Sequence, residues 1–237
     1  KITSQKTRIL LVSFARHSMA SVKRILAKTK GIRIVNPNPD TSYYYMFKGK
    51  FGNDTLIIDV GCGFDADFSM YMIEKFGLKC IGIDPTVKHK DNLDLLSQKT
   101  RGMFSHKLFA VSATNGKITF NESEDNVSGS IFDDHKNVRN DKIRTYEVDT
   151  VNLASLPDRL GLEKIDYIKL DLEGAEYDLF DQSVKEDLSK YDQIFVEFHH
   201  HALPRYTIKD TLRVVEKIKS FGFKSFSIYD NDFLFYR

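Results

Sequence analysis

Residues 55–68 read TLIIDVGCGFDADF, an apolar run with an acid near its end and then two glycines one residue apart. A continuous run rich in β-branched residues is typical of a buried strand in a parallel sheet. Gly61 and Gly63 follow this run directly, and glycines leave room for a ligand to lie against the backbone. The stretch therefore predicts a strand and a turn that bind a nucleotide-type ligand.

Strands and helices alternate along the rest of the chain. Further strands are predicted at residues 79–84 (KCIGID), 105–113 (SHKLFAVSA), 117–120 (KITF), 165–172 (IDYIKLDL) and 193–198 (QIFVEF). Helices are predicted at residues 67–77, at residues 207–222 and on one apolar stripe formed by Tyr177, Phe180, Val184, Leu188 and Tyr191. Residues 121–142 are polar and predict a long loop that borders an acceptor site and moves.

Residues 223–237 contain two aromatic-rich runs around Asp230 and Asn231, which is typical of a β-hairpin. Together with the alternation, this predicts an α/β fold with a doubly wound, mostly parallel seven-stranded sheet that ends in a C-terminal antiparallel hairpin. Residues 55–237 are predicted to form this domain. Residues 1–54 are predicted to be a helical and extended lead-in packed on its core.

Composition narrows the classes of partner. Of the 237 residues 41% are hydrophobic, and 35 basic and 33 acidic side chains give a net charge of +2 without a basic stripe. The lack of a basic stripe predicts no nucleic-acid partner, and the lack of a long apolar run predicts no membrane span. The two cysteines are too few for a structural zinc site, and with them we expect a reduced, cytoplasmic setting. The chain begins at Lys1 rather than Met, so we expect a processed protein or part of a longer multidomain chain.

Two acids indicate which ligand the glycine turn binds. Asp59 precedes the first glycine, where a carboxylate suits the amino group of a bound amino acid better than a pyrophosphate. Asp84 ends the next strand, where it can accept hydrogen bonds from ribose hydroxyls. A parallel sheet with a terminal antiparallel hairpin is the hallmark of class I S-adenosylmethionine methyltransferases. The predicted cofactor residues are Asp59, Gly61, Cys62, Gly63, Asp84, Pro85, Ser112 and Asp171.

A second motif lies at residues 168–176, which read IKLDLEGAE. It follows YEVDTVNLASL at residues 146–156 and precedes IFVEFHH at residues 194–200. Over residues 55–200 the sequence resembles the FkbM family of S-adenosylmethionine-dependent methyltransferases. The resemblance implies O-methylation of a hydroxyl on a sugar, a glycan or a glycosylated product, with a small-molecule or glycan acceptor.

Charged residues lie at the ends of the strands predicted at residues 165–172 and 193–198, on the rim that faces the predicted cofactor. A sugar hydroxyl is a poor nucleophile until a base or a metal removes its proton. The candidate catalytic residues are Asp171, Glu173, Glu197, His199 and His200. Histidine is the natural base near neutral pH, so His199 ranks first in a metal-free enzyme. Alternatively, Asp171, Glu197 and His199 hold a divalent cation such as Mg²⁺ or Mn²⁺.

Two alternatives of other classes fit a similar sheet. An NAD(P)-dependent oxidoreductase would want a third glycine, which is replaced by Ala66, and a catalytic pair that does not stand out. A non-catalytic cofactor-binding module would not need the acids of both groups. The cofactor that raises the melting temperature would separate these alternatives.

Overall fold

The computed structural model describes residues 20–37 and 43–237. Its main element is a seven-stranded sheet. In spatial order its strands are Lys224–Phe226 (β12), Asp232–Tyr236 (β13), Tyr191–Glu197 (β11), Ile165–Asp171 (β10), Ile57–Val60 (β3), Cys80–Ile83 (β4) and Phe104–Lys107 (β5).

The pairing within this sheet confirms the predicted fold class. Strands β11, β10, β3, β4 and β5 run parallel to one another. Strand β13 is antiparallel to β11, and β12 is antiparallel to β13. The C-terminal hairpin therefore closes one side of an otherwise parallel sheet. The carboxyl ends of β3, β4, β10 and β11 lie along one edge, where a ligand site is expected.

Helices cover both faces of the sheet. Within the described residues they are residues 20–29 (α1), Asp67–Phe76 (α2), Lys90–Lys99 (α3), Leu156–Leu160 (α4), Glu176–Gln182 (α5) and Ile208–Ser220 (α6). The prediction for α2 is confirmed, including its end at Gly77 in the left-handed conformation. The prediction for α5 is wrong beyond Gln182: Val184 is exposed and Tyr191 begins β11. Leu188 is buried by packing rather than by helical periodicity.

The described part of residues 1–54 packs on this sheet. Helix α1 precedes an antiparallel pair, Ile32–Val35 (β1) and Tyr44–Phe47 (β2). The Tyr45 ring lies 5.7 Å from that of Phe195 in β11. The helical part predicted for this lead-in is confirmed at residues 20–29, and residues 1–19 lie outside the described residues. A domain boundary at residue 55 stays a prediction.

A second, four-stranded sheet corrects two predictions. Its order is Ala110–Val111 (β6), Ile143–Val151 (β9), Gly116–Ser123 (β7) and Gly129–Ser130 (β8). The predicted strand 105–113 is therefore divided between the two sheets. The predicted loop 121–142 contains the end of β7 and all of β8. Buried polar residues explain the error, because Glu122 is buried in β7 and accepts a hydrogen bond from Tyr146 of β9.

Two hydrophobic cores lie on opposite faces of the main sheet, as the alternation of side chains along β10 shows. Ile168 and Leu170 join the core under α5 and α6, whereas Tyr167 joins the core under α1, β2 and α2. Within residues 20–37 and 43–237, none of the helices has the length and apolar character that crossing a bilayer requires.

Candidate active site

The glycine turn after β3 needs a glycine at its first position. Gly61 has φ +70°, and its N–H donates to the carbonyl of Ile83 at 2.8 Å. A Cβ atom at Gly61 would lie 1.9 Å from the carbonyl oxygen of Asp171, so the turn nests directly against the end of β10. Gly63 also has φ +70° but faces open space. The first glycine permits packing, and the second leaves room.

Asp84 supports this turn from the end of β4. Its Oδ2 accepts the N–H of Gly63 and its Oδ1 accepts the N–H of Thr86, both at 2.9 Å. The Nδ1 atom of His89 lies 3.5 Å from Oδ1. Burial alone would raise the pKa of Asp84, but the contacts with His89 and Thr86 outweigh burial and hold it below its ordinary value. Asp84 is therefore a fixed carboxylate at neutral pH.

A cavity of about 360 Å³ opens beside the glycine turn and Asp84. Its lining includes six of the eight predicted cofactor residues: Gly61, Cys62, Gly63, Asp84, Pro85 and Asp171. Residues 127–129 and Ile131, from the segment predicted to border the acceptor, line the same cavity. Asp59 and Ser112 lie outside the lining. The Ser112 hydroxyl donates to the carbonyl of Thr114 at 2.9 Å.

Asp59 is fully buried and already has a cationic partner. Its Oδ2 accepts the hydroxyl of Ser69 at 2.7 Å, and its Oδ1 forms an ion pair with Nζ of Lys169 at 3.2 Å. This Oδ1 has no aligned hydrogen bond, so the contact is ionic. Asp59 was predicted to bind the amino group of the ligand, and Lys169 instead provides its cationic partner. Its presence inside the apolar run YIKLDL was the signal that sequence reasoning passed over.

The rim predicted to carry the chemistry brings three residues together. Nε2 of His199 lies 3.4 Å from Oδ1 of Asp171 and 3.6 Å from Oε2 of Glu173. Asp171 ends β10, Glu173 follows in a left-handed turn with φ +50°, and His199 follows β11. The Asp171 and Glu173 side chains are 24% and 27% exposed, so both reach the solvent-filled space.

Two buried residues that the sequence analysis missed hold this rim. Oε1 of Glu176 accepts from Nδ1 of His199 at 2.8 Å and from the N–H of Leu172 at 3.0 Å. Nε2 of His135 lies 3.0 Å from Oε2 of Glu173. Glu176 stands in the EGAE motif, which could have indicated it. His135 lies in the polar segment 121–142, where nothing in the pattern singles it out.

A model of the methyltransferase FkbM domain matches residues 17–225 of this chain. The chain belongs to the FkbM methyltransferase family. One curated relative is the 2-O-methyltransferase NoeI of Sinorhizobium fredii (strain NBRC 101917 / NGR234). It is 29% identical over 190 residues, which cover 71% of this chain and 75% of NoeI.

Solved structures with a similar fold include a Methanococcus jannaschii fibrillarin pre-rRNA processing protein. It has 10% identity and a TM-score of 0.46 over 86% of this chain and 80% of that one. M. capricolum TrmK, in complex with S-adenosyl-homocysteine, has 12% identity and a TM-score of 0.41 over 78% and 62%. The FkbM protein described here is an S-adenosylmethionine-dependent methyltransferase. The NAD(P)-dependent oxidoreductase is therefore not retained as an alternative.

Charges at the rim of this FkbM methyltransferase shift several pKa values. Burial, reinforced by Glu197 and opposed by Lys169, raises the pKa of Asp171 to about 7. Burial alone would lower the pKa of His199, but Glu176, Glu173 and Asp171 hold it well above its ordinary value. His199 is therefore an imidazolium at neutral pH. The pKa of Glu173 is lowered, since His135 and His199 outweigh its burial.

The other two predicted rim residues do not contribute atoms to this trio. Glu197 pairs in register with Asp171 of β10 and with Asp232 of β13, and it lies outside the cavity lining. Nδ1 of His200 lies 3.0 Å from Oγ1 of Thr211 in α6. The structure therefore brings Asp171, Glu173 and His199 together and directs His200 toward α6.

The trio also forms a potential metal-binding group in the FkbM fold. One ligand atom from each of Asp171, Glu173 and His199 lies within 4.8 Å of the other two. The sequence analysis had named Glu197 in place of Glu173. Glu176 holds Nδ1 of His199 and leaves Nε2 facing the two carboxylates, which is the usual support for a metal-bound histidine. The divalent cation itself stays a prediction.

Proposed function

We propose that this FkbM protein transfers the methyl group of S-adenosylmethionine to a hydroxyl oxygen of a sugar or glycan. Asp171 receives the hydroxyl proton in this proposal. The observation that carries it is the position of the Asp171 carboxylate, which lines the same cavity as the glycine turn and Asp84.

The two sides of the cavity divide the work. The turn at residues 61–63 and Asp84 suit the amino-acid part and the ribose of the cofactor. Asp171 lies across the Gly61 contact, so an acceptor oxygen beside its carboxylate would also lie near the cofactor's methyl group. In-line alignment of an oxygen with an activated methyl group supplies much of the rate enhancement in such transfers.

The chemical step balances with these groups alone. The acceptor oxygen forms a bond to the methyl carbon while the carbon–sulfur bond breaks and sulfur keeps the electron pair. The hydroxyl proton passes to Asp171, whose pKa of about 7 makes it a better acceptor than an ordinary aspartate. We assign the base role to Asp171 rather than to His199, because the three surrounding carboxylates keep His199 protonated. The imidazolium then stabilises the ionised carboxylates beside it.

Support for the acceptor class comes from two sources. NoeI is named a 2-O-methyltransferase, and the FkbM resemblance implies hydroxyl groups on sugars. The cavity wall at residues 127–131 offers a serine hydroxyl and a glycine, which suit a polar acceptor.

The same residues fit a divalent cation. Mg²⁺ or Mn²⁺ held by Asp171, Glu173 and His199 would lower the pKa of an acceptor hydroxyl bound beside it. Chelation separates the two arrangements. EDTA leaves turnover unchanged if Asp171 is the base, and it abolishes turnover, restored by Mg²⁺ or Mn²⁺, if a cation is required.

The test is a mass-spectrometric screen of nucleotide sugars and oligosaccharides with S-adenosylmethionine. We expect one acceptor to gain one methyl group. The cofactor should also raise the melting temperature, since a ligand at a hundredfold its Kd stabilises by about 2.7 kcal/mol. Asp84→Ala should lose that stabilisation, whereas Asp54→Ala, on an exposed turn, should keep it. Methylation of carbon or nitrogen, or stabilisation by NAD instead, would contradict the proposal.

A further inference from the structure

A buried lysine connects the two sides of the cavity. Lys169 lies near the end of β10 with only 3% of its surface exposed. Its Nζ donates to the carbonyl of Gly61 at 3.0 Å and to Oδ2 of Asp171 at 3.3 Å. The same atom forms the ion pair with Asp59 at 3.2 Å. One ammonium group therefore contacts the glycine turn, the proposed base and a buried acid.

Stability alone does not explain this arrangement. Taking a lysine and an aspartate out of water is costly, and apolar residues of similar size often stabilise a protein as well or better. The ion pair between Lys169 and Asp59 compensates the buried charge of Asp59. A lysine could form that ion pair without also contacting Gly61 and Asp171. These two groups belong to the reaction rather than to the core.

Lys169 also completes the fixation of the Asp171 carboxylate. Oδ2 of Asp171 accepts from Lys169, and Oδ1 faces Nε2 of His199 at 3.4 Å. These two contacts together fix the orientation of the carboxylate group. The carbonyl of Gly61, held by the same ammonium, sets where the turn lies relative to that carboxylate.

We infer that Lys169 is a positioning residue for methyl transfer: it fixes the carboxylate of Asp171 relative to the glycine turn that holds the cofactor. Its donors are directed at groups of the protein, so it acts through Asp171 and Gly61 rather than by binding the acceptor. This inference rests on the proposed function, in which Asp171 and the cofactor methyl group must meet at one acceptor oxygen.

A pair of substitutions separates positioning from stability. Lys169→Met alone leaves Asp59 as an unpaired buried charge and should lower Tm by roughly 6–20 °C. The double variant Asp59→Asn/Lys169→Met removes both charges and should recover Tm to within about 4 °C of wild type. Its kcat should nevertheless stay roughly 10- to 100-fold below wild type, since a small misplacement of a reacting group has effects of that size.

Lys164→Met is the matched control, because Lys164 precedes the same strand but is exposed and pairs with Asp192. Its kcat and Tm should equal those of wild type. Recovery of kcat together with Tm in the double variant would overturn the inference, because Lys169 would then only neutralise Asp59. Asp59→Asn/Lys169→Gln, which replaces the pair by two amides, gives the same comparison if the methionine variant does not fold.

The wild-type enzyme, assayed in parallel, keeps the two proposals distinct. Absence of turnover with every acceptor in the wild type counts against the proposed function. Turnover in the wild type and in the folded double variant alike counts against the role of Lys169 alone.

Discussion

The two sides of the cavity differ in how far apart in the sequence their residues lie. On the β3–β4 side, Gly61, Gly63 and Asp84 lie within residues 61–84, and backbone N–H groups connect them. On the β10–β11 side, the groups come from residues 135–199, and charged side chains hold them in place. The β3–β4 side, which we propose binds the cofactor and call the cofactor side, therefore depends on backbone shape, and the rim depends on electrostatic balance. Substitutions on the two sides should fail in different ways.

The largest expected effect is on the rim, in turnover. Asp171→Asn removes the proposed proton acceptor and should lower kcat by about 10²–10⁴-fold while S-adenosylmethionine still binds. Steady-state kinetics and calorimetric titration of the cofactor measure the two quantities. Asp192→Asn, on a partly buried acid near the start of β11 that pairs with Lys164 and lies outside the cavity lining, is the control. Equal loss of cofactor affinity and turnover would show that the two sides are not separable.

On the cofactor side the expected effect is on stability. The control is Gly77, which ends α2 outside the cavity lining. Gly77→Ala should lower the free energy of unfolding by about 1 kcal/mol, because φ is +65° there and its Cβ would meet open space. Gly61→Ala has the same penalty plus a clash with the carbonyl of Asp171, so we expect a loss of about 3 kcal/mol or more. Urea unfolding of both variants measures the difference. Similar losses would mean that the turn can move away from β10.

The rim should also respond to pH. Burial, then the charge of Glu197, raises the pKa of Asp232 to about 8, well above the 3.8 of an exposed aspartate. The folded state therefore keeps this proton over the interval in which the unfolded state releases it. The free energy of unfolding from this group should fall as pH rises from 4 to 8, by about 1 kcal/mol per pH unit or less.

Asp232→Asn should remove that slope and make the protein more stable than wild type at pH 8. The asparagine can still accept the hydrogen bond that Asn231 donates at 2.9 Å. Asp230→Asn, on an exposed residue two positions away that contributes less than Glu197 to the raised pKa of Asp232, should change the slope only slightly. Thermal unfolding from pH 5 to 8.5 measures both variants. An unchanged slope in Asp232→Asn would remove the charge-based account of this rim.

The smallest effect should come from the cavity wall at residues 127–131, which we propose contacts the acceptor. Val127 lines the cavity and is 63% exposed, so Val127→Ala removes only a peripheral contact. We expect the acceptor KM to rise about two- to fivefold, equivalent to about 0.4–1 kcal/mol, with the cofactor Kd unchanged. Val184→Ala, on a valine that is 52% exposed and lies outside the cavity lining, should change neither quantity. A change in cofactor Kd would assign this wall to the other side of the comparison.

The sequence indicated most of the residues that line the β3–β4 side of the cavity because its information is local. A buried run, two glycines and an acid at the next strand end predict Gly61 and Asp84 without knowledge of distant contacts. The main sheet followed from the alternation of strands and helices. The second sheet did not, because Glu122 and Ser123 read as loop residues until their partners, Tyr146 and Asp141, are brought beside them.

The rim shows the same limit. Asp171 and His199 follow strands and were predicted, but the choice between Glu173 and Glu197 depends on which side chain turns toward His199. The left-handed backbone at Glu173 decides this, and a glutamate in that conformation is not indicated by its residue type. Lys169 and His135 act through side-chain contacts with residues far away in the chain. Spacing alone cannot reveal such pairs.

The nesting of the glycine turn against β10 has a consequence for the order of assembly. The groups that meet there are 108 positions apart in the chain, and β3 has no parallel neighbour on that side until residues 165–171 exist. At roughly 5–20 residues per second, a ribosome needs about 5–20 s to bridge that interval. During this time the apolar strand β3 waits half-paired. The candidate site therefore cannot form before β10 has been synthesised, and slowed translation between residues 61 and 169 would prolong the exposure of β3.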